Sequence, residues 1–396
     1  MIKNDPNTPR RLAILGHHGI PSNYGGFETF AEQAAIGLVQ RGLSVVGYCR
    51  SNYFRERPKD YRGVKLVYIP TIINKYLDTF IHTWLSILRL LIFNTADVAL
   101  IVNVGNAPFV GLARLFGKKT IFCVDGLDWE RKKWGWFARW YLKLCSKLVP
   151  YVANEIVTDA ISVQEFYKTQ RGTDSVFIPY GTDIVSHPAN PDLLQTNKLQ
   201  PKGYFIYVAR FEPENNPLEV VKAYVAAQSP YPLVMIGDNR YNREFVAKVK
   251  AAGNNQVLFL GYVFGERYKE LVSGSLAYIR AAEVGGSSPA TIEAMGRGTC
   301  VIGNDKPENR EVLGETGLYY SIKDFSTLTT IIRAISARPE IAIARGAASL
   351  ERAKSIYRWD RIVDDYVALI NQLAEPGWST TQIPASYRER AAERTY

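Results

Sequence analysis

A run of small and polar residues in the second half of the chain has the composition of an anion-binding loop. Gly286, Ser287 and Ser288 come directly before Pro289, and serine followed by proline is typical of a helix start. The first N–H groups of such a helix have no partner within it and favour negative charge. We therefore expect residues 286–288 to form a nest for a phosphate, with Glu293 one turn further along the helix.

Two other side chains at predicted strand ends could take part in the same chemistry. Arg210 ends the apolar run YFIYVAR, and a guanidinium there is well placed to bind a diphosphate through paired hydrogen bonds. Asp125 ends the run TIFCVD, and its carboxylate could accept a proton from an incoming hydroxyl or orient a sugar. An Asp125 that only caps the next helix or pairs with Arg131 is the alternative.

The first apolar run of the chain leads into a loop rich in glycine. Gly16, Gly19, Gly25 and Gly26 lie between Leu15 and a long helical pattern. Glycines at a strand-to-helix turn let backbone N–H groups approach a ligand, so a phosphate or diphosphate is the expected occupant. Their spacing matches neither the G-x-G-x-x-G dinucleotide motif nor a P-loop. A loop that turns without binding a ligand is the alternative.

Strands and helices in regular alternation must position these residues. Short apolar runs alternate with helical patterns in both halves of the chain, which predicts an α/β fold with two doubly wound, Rossmann-like parallel sheets. Ligands bind at the carboxyl ends of such strands, so we expect the two domains to face each other across a cleft. The predicted strands are RLAIL, SVVGYC, VKLVYIP, VALIVNV, KTIFCVD, YVANEIV, SVFIPYG, YFIYVAR, PLVMIGD, QVLFLGYV, LAYIRA, CVIGN and GLYY.

Composition divides the chain into four parts. Residues 1–185 form the predicted first domain and residues 186–355 the second, with a linker rich in proline and asparagine at 186–203. Residues 356–375 have a helical pattern with no strand after it, and this helix could cross back to the first domain. Residues 376–396 are polar and charged and are predicted to be a mobile tail.

The positive charge of the chain lies in its first half. Residues 1–180 hold 23 Lys and Arg against 14 Asp and Glu, whereas residues 181–396 hold 25 against 24. A basic first half is expected to meet a phosphorylated substrate, an anionic membrane surface or nucleic acid. No recognition module for nucleic acid is visible, so we expect no nucleic-acid partner. The four cysteines are far apart in the sequence and are predicted to be buried, reduced thiols.

One segment of the basic half is also aromatic. In WERKKWGWFARWYLKLCSK, residues 129–147, tryptophans alternate with Lys and Arg. One helical face is expected to be core and holds Trp134, Phe137, Tyr141, Leu144 and Cys145. The rest has the composition of an interfacial helix on anionic lipid. The residues expected at that surface or at the acceptor are Lys132, Lys133, Trp136, Arg139, Trp140 and Lys143.

Several motifs together resemble a known family. VARFEPENN, GGSSPATIEAMGRGTCVI, IPYGTD and YRWDRIVDDY are similar to the family 4 glycosyltransferases of GT-B fold, over most of residues 203–370. GHHGIPSNYGGFETFAEQ and VDGLDWERKKWGWFARWYLK resemble the bacterial rhamnosyltransferases that build polysaccharide on a lipid-diphosphate carrier. The resemblance implies transfer of rhamnose from dTDP-β-L-rhamnose, with retention at the anomeric carbon and with no metal or other cofactor.

The resemblance also implies roles for individual residues. Arg210 matches the family's diphosphate-binding arginine, and Glu293 matches the glutamate that holds the sugar ring of the nucleotide. Gly25 and Gly26 match the first-domain loop that covers the donor phosphates.

Two positions depart from the family pattern. The lysine that usually follows the arginine by five residues is Asn215 here, so the diphosphate loses a cation unless another Arg or Lys, or the glycine loop, replaces it. The family's two glutamates are usually eight positions apart, which points to Gly285, whereas Glu283 lies two residues further back. Either a bulge lets Glu283 reach the sugar or another group does so.

The expected partners are a nucleotide-diphosphate sugar, a polyprenyl-diphosphate-linked acceptor and an anionic membrane surface. Residues 1–10 lack the apolar core of a secretory signal, and no unbroken apolar run reaches the ~18 residues of a spanning helix. We therefore expect a cytoplasmic protein that is peripheral on the inner face of the membrane.

Other functions use some of the same features. A related hexosyltransferase would take a UDP- or GDP-sugar, and a non-catalytic sensor would bind a sugar nucleotide without transferring the sugar. An NADP-linked oxidoreductase would use the first strand–helix–strand unit and Arg50, but the dinucleotide motif is missing. A metal at His17 and His18 would lack further ligands nearby in the sequence.

Overall fold

The computed structural model of the chain describes residues 10–22, 25–74, 76–131, 134–185 and 189–373. These residues form two compact units, which differ slightly from the divisions expected from composition. The first unit holds residues 10–129, 134–180 and 359–373, and the second holds residues 130–131, 181–185 and 189–358. The tail predicted at residues 376–396 lies outside the described residues.

The first unit contains one eight-stranded sheet with helices between its strands. The strands are β1 Arg11–Leu15, β2 Ser44–Arg50, β3 Asp60–Tyr61, β4 Val64–Ile69, β5 Val98–Val102, β6 Lys119–Val124, β7 Glu155–Thr158 and β8 Val176–Phe177. The helices between them are α1 Gly26–Gln40, α2 Asp78–Phe93, α3 Ala107–Leu115, α4 Trp136–Val152 and α5 Ile161–Arg171. The strand order is β3-β4-β2-β1-β5-β6-β7-β8, with only β3 antiparallel to its neighbour.

The second unit contains a six-stranded parallel sheet. The strands are β9 Phe205–Val208, β10 Leu233–Ile236, β11 Val257–Gly261, β12 Ala277–Arg280, β13 Cys300–Asn304 and β14 Leu318–Tyr320. The helices are α6 Pro191–Gln195, α7 Pro217–Ala227, α8 Arg243–Ala251, α9 Gly265–Gly274, α10 Pro289–Gly296, α11 Pro307–Leu313, α12 Ser326–Ala337 and α13 Glu340–Ile356. The strand order is β11-β10-β9-β12-β13-β14.

These two parallel sheets confirm the α/β fold with two Rossmann-like domains that the sequence predicts. Strands such as β5 and β10 are entirely buried because helices cover both faces of a parallel sheet, which is why their sequences are unbroken apolar runs. The segment YVANEIV is only partly a strand, since α4 continues through Val152 and β7 begins at Glu155.

The linker expected at 186–203 is mostly folded structure. Residues 186–188 lie outside the described residues, but α6 follows at 191–195. Asn190 caps this helix by accepting a hydrogen bond from the Asp192 N–H at 3.0 Å, and Leu194 and Leu199 are buried. Proline and asparagine mark a capped helix start here rather than a flexible connection.

The last described helix, α14 Trp359–Leu373, packs on α1 of the first unit. A Cβ on Gly37 would lie 2.5 Å from a methyl of Val363, so only glycine lets the two helices approach this closely. Arg41 donates to Asp364 at 2.5 Å and to the Asp360 carbonyl at 2.8 Å. The helix therefore completes the core of the first unit.

Each sheet has a point where the direction of the strand order reverses. In the first sheet β1 lies between β2 and β5, and in the second sheet β9 lies between β10 and β12. Ligands of doubly wound sheets bind outside the carboxyl ends of the strands at such a point. Arg210 and the loop after β12 lie at this point in the second unit.

Two further features concern the length of the helices and the state of the cysteines. None of the helices in the described part of the chain is long and apolar enough to cross a membrane. The four cysteines are buried and form no disulfide, as predicted.

Candidate functional site

Arg210 lies two residues beyond the end of β9, in a turn held by hydrogen bonds. Its carbonyl accepts from the Glu212 N–H and from Asn215 Nδ2, both at 2.7 Å. The buried Tyr207 hydroxyl donates to the Asn215 carbonyl at 2.8 Å. Among the described residues, no side chain pairs with the Arg210 guanidinium. The side chain of Asn215 thus supports the turn, and the guanidinium can bind a ligand.

Glu283 lies in the loop after β12, the strand beside β9. Its N–H donates to the Glu214 carbonyl at 2.8 Å, and its Oε1 accepts from Asn216 Nδ2 at 3.2 Å. Asn216 Nδ2 also donates to the Ala281 carbonyl at 2.9 Å. The structure therefore joins the loop of Glu283 to the turn that begins at Arg210.

Residues 286–288 are buried immediately before α10, and Ser288 caps this helix with its side chain. Glu293 lies one turn further and accepts a hydrogen bond from the Tyr268 hydroxyl at 2.9 Å. Burial raises the pKa of Glu293, although the Tyr268 hydrogen bond acts in the opposite direction. Tyr268 fixes one carboxylate oxygen, and no described group bonds to the other, which is available to a hydroxyl of a ligand.

In the first unit, the glycine loop and Asp125 lie at the same edge of the sheet. Gly25 is the N-cap of α1 and Gly26 is its first residue. Phe27, the next residue, lines a small cavity, and so do Asp125 and Tyr180. Burial raises the pKa of Tyr180 well above its usual value, and the charge of Asp125 adds to this. A neutral phenol therefore lies near the Asp125 carboxylate.

A buried hydrogen-bonded pair beneath the glycine loop was not predicted from the sequence. Glu28, on the first turn of α1, accepts from the His18 N–H at 2.9 Å, and His18 Nδ1 lies 2.8 Å from the same oxygen. Burial raises the pKa of Glu28, but the hydrogen bonds and charge of His18 outweigh it and lower this pKa to about 2. The Glu28 carboxylate thus holds the loop against the helix start.

Arg50 is held by hydrogen bonds to other side chains of the first unit. It is 1% exposed and donates to Asp78 at 2.8 Å and to the Thr79 hydroxyl at 3.0 Å. A guanidinium paired in this way is not available to the 2′-phosphate of NADP, which the oxidoreductase alternative requires.

Two buried, neutral histidines in the first unit should make the stability of the protein sensitive to acid. His17 and His82 are buried, and no side chain in the described part of the chain forms a hydrogen bond with their ring nitrogens. Burial lowers the pKa of His17 from 6.5 to about 4 and lowers that of His82 well below 6.5. As the pH falls from 6.5 towards 4, only the unfolded chain binds these protons. The free energy of unfolding should therefore fall by up to ~1.4 kcal/mol per pH unit for each histidine.

Urea unfolding at a series of pH values between 7 and 4.5 checks this prediction. His82→Leu should reduce the slope of the unfolding free energy against pH, because one of the two protons is no longer taken up on unfolding. An unchanged slope in that variant would show that His82 is protonated in the folded protein.

Helix α4 carries the basic and aromatic surface that the sequence suggests. Trp136, Phe137 and Trp140 are 82%, 61% and 55% exposed, and Lys143 is also exposed. Lys132 and Lys133 lie outside the described residues. The expected core face is confirmed for Cys145, which is buried, and for Trp134 and Tyr141, which pack against the core. It is wrong for Phe137 and Leu144, which are exposed, and Leu142 and Val149 are buried in their place. The exposure of Phe137 and Leu144 enlarges the apolar surface of the helix.

The fold and these residues define a class of protein. A sucrose-phosphate synthase from Thermosynechococcus elongatus has a TM-score of 0.79 and 18% identity, over 92% of this chain and 99% of that chain. Anabaena Alr3699/HepE in complex with UDP-glucose has a TM-score of 0.72 and 12% identity, over 91% and 99%. An α,α-trehalose 6-phosphate synthase from Burkholderia multivorans has a TM-score of 0.68 and 11% identity, over 92% and 97%. The chain has the GT-B fold.

Two family models match parts of the sequence. Residues 192–340 match the glycosyl transferases group 1 family, and residues 102–183 match a domain of unknown function, DUF1972. The second range contains Asp125 and α4. Comparison with curated protein sequences found no match. Together with the fold, the match of residues 192–340 supports a glycosyltransferase domain within a chain of GT-B fold.

Proposed function

We propose that this protein is a retaining, metal-independent glycosyltransferase that moves L-rhamnose from dTDP-β-L-rhamnose to a polyprenyl-diphosphate-linked saccharide. The product would belong to a capsule, O-antigen or cell-wall polysaccharide. The observation that carries the proposal is the arrangement at the switch point of the second sheet, where Arg210, Glu283 and the start of α10 lie on adjoining loops. The resemblance to rhamnosyltransferases supports the choice of donor sugar.

The proposed donor site assigns a role to each of these groups. The Arg210 guanidinium and the N-terminus of α10 would bind the diphosphate, which becomes more negative as the bond to the sugar breaks. Glu293 would accept hydrogen bonds from the sugar ring of the nucleotide, and Glu283 from the transferred sugar. Groups fixed before the reaction stabilise this developing charge without reorganisation, and such stabilisation is commonly the largest contribution to rate.

In the first unit, Asp125 would accept the proton of the acceptor hydroxyl as it attacks the anomeric carbon. We assign no covalent nucleophile among the described residues. Retention would therefore follow from attack by the acceptor hydroxyl on the same face of the sugar that the diphosphate leaves. Gly25 and Gly26 would lie against the donor phosphates through their backbone N–H groups.

A panel of dTDP-, UDP- and GDP-sugars tests the choice of donor. Calorimetry should give the tightest binding with dTDP-β-L-rhamnose. Tightest binding of UDP-glucose would favour the hexosyltransferase alternative, which is supported by the neighbour that holds UDP-glucose. Slow hydrolysis of the bound donor by the purified protein would argue against a non-catalytic sensor.

We also propose that α4 places the first unit on an anionic membrane, at the inner face of the cell membrane. The exposed rings of Trp136, Phe137 and Trp140 follow one another at centroid distances of 5.9 and 5.8 Å. Exposed aromatic residues of α2, Phe80 and Trp84, extend this surface, since Phe80 lies 4.8 Å from Phe109 of α3, which packs on α4. An apolar surface with Arg and Lys at its border suits the headgroup region of a bilayer.

Replacing Trp136 and Trp140 together with serine should reduce retention on anionic liposomes by at least ~10-fold, because the apolar contribution of two rings is lost. Sedimentation with vesicles of phosphatidylglycerol and phosphatidylcholine measures this. Tyr241→Ser is the control, since Tyr241 is 74% exposed but belongs to the second unit. Equal retention of the double variant and the wild type would contradict the membrane proposal.

A further inference from the structure

The second unit contains a partly buried arginine without an acidic partner among the described residues. Arg280 is the last residue of β12, in the middle of the sheet. Its Nε is buried with no hydrogen-bond partner, and no carboxylate among the described residues pairs with its guanidinium. A buried charge is normally paired, because removing it from water without compensation is costly. The natural explanation for such a cation is a negatively charged ligand.

The surroundings of Arg280 support this explanation. The ionisable groups that act on it most strongly are the tyrosines Tyr207, Tyr278 and Tyr320, together with Arg131. Burial is the largest influence on Arg280 and lowers its pKa, and Arg131 acts in the same direction. The protein thus keeps two guanidinium groups near each other without a carboxylate to neutralise Arg280.

Arg280 lies at the same edge of the sheet as Arg210. β12 lies beside β9 with Ile279 opposite Tyr207, so Arg280 and Arg210 both emerge at the carboxyl edge of two neighbouring strands. Gly285, before the start of α10, has a φ of +137°, and a Cβ there would lie 3.9 Å from Arg280 Nη2 and 3.8 Å from Arg131 Nη2. The Arg280 guanidinium therefore lies against the loop that leads into α10.

We propose that Arg280 binds the diphosphate of the sugar nucleotide and supplies the second cation that Asn215 does not provide. This inference rests on the proposed function. The lysine that the family pattern places five residues after Arg210 is absent here, and Arg280 on the neighbouring strand would supply the positive charge in its place. Asn215 is then free of any ligand role, and its amide holds the Arg210 carbonyl instead.

Calorimetry with UDP, dTDP and uridine tests the assignment. Arg280→Gln should weaken the binding of UDP and dTDP by at least ~10-fold, because a charge-assisted hydrogen bond is lost. The binding of uridine, which has no phosphate, should not change. Arg280→Lys keeps the charge and should retain most of the affinity. Farnesyl diphosphate represents a lipid diphosphate in the same titrations. A loss of affinity in Arg280→Gln that is confined to farnesyl diphosphate would overturn the assignment.

The melting temperature without ligand distinguishes binding from a structural role. Removing an unpaired, partly buried charge should leave the melting temperature of Arg280→Gln unchanged or higher, while UDP no longer raises it as in the wild type. Arg352→Gln is the matched control, because the Arg352 guanidinium donates to the Val312 and Glu311 carbonyls. That variant should melt lower and keep the shift caused by UDP.

Different results would overturn the proposed function and the role of Arg280. A wild type that binds neither UDP nor dTDP would overturn both the proposed function and the role of Arg280. A wild type that binds them while Arg280→Gln binds equally well would overturn the role of Arg280 alone. A lower melting temperature in Arg280→Gln, with a normal shift caused by UDP, would show a structural role and would also overturn it.

Discussion

Arg210→Ala should lower the rate of sugar transfer by about 10²–10³-fold, with the folded structure retained. The Arg210 side chain has no partner among the described residues, so its removal breaks no internal hydrogen bond or ion pair. What is lost is a fixed positive charge beside the leaving diphosphate, and one such preorganised group commonly contributes this much. Turnover of donor with the purified acceptor, together with the melting temperature, measures both effects.

Arg333→Ala is a suitable control for this experiment. Arg333 is an exposed arginine on α12 of the same unit, where it donates to the Ala226 carbonyl at 2.6 Å. Its replacement should leave turnover unchanged. Arg210→Lys should lie between the wild type and the alanine variant, because lysine keeps the charge but cannot form two parallel hydrogen bonds. Turnover near that of the wild type in Arg210→Ala would remove Arg210 from the mechanism.

Asp125→Asn should lower the rate of transfer by about 10²–10⁴-fold, the usual contribution of a positioned general base. Donor binding should change little, because the contacts proposed for the diphosphate come from Arg210, the N-terminus of α10 and the backbone of Gly25 and Gly26, and none involves the Asp125 side chain. If Asp125 accepts the acceptor's proton, the rate of the wild type should fall at acidic pH, and the remaining activity of the variant should not show this dependence. If Asp125 only orients the sugar, both proteins should have the same pH profile.

Asp97→Asn is the control for Asp125. Asp97 immediately precedes β5, at the amino edge of the same sheet, and its ion pair with Arg11 at 2.6 Å is exposed. Exposed pairs contribute little stability, so this variant should have wild-type activity. Asp125→Asn with an unchanged rate would leave the capping or pairing interpretation of Asp125.

The pattern of the sequence predicts most of the strands and helices because it reports burial along the chain. The apolar runs of β1, β5 and β10 and the prolines that begin α7 and α10 are local features, and local physics determines them. The GT-B fold follows from their alternation and from the resemblance. Helix α14 is also predictable, because its sequence has one apolar face. Its contact with Gly37 of α1 is not local, because it requires the folded first unit.

Side-chain environments are what the sequence does not predict. Phe137 and Leu144 have the spacing of a core face, but the neighbouring helix decides which face of α4 is covered. Arg280 looks like any arginine at a strand end until the structure shows that it has no acidic partner. The contact of His18 with Glu28 joins residues ten positions apart, and only the fold of the loop brings them together.

All of these roles require that the second unit binds a nucleoside diphosphate at the switch point of its sheet. A crystal structure of the protein with dTDP or UDP tests it most directly. We expect a diphosphate that accepts hydrogen bonds from Arg210 and the N-terminus of α10, with the sugar ring of the nucleotide on Glu293. A nucleotide bound elsewhere, with Arg210 and Glu293 making no contact with it, would rule out this donor site.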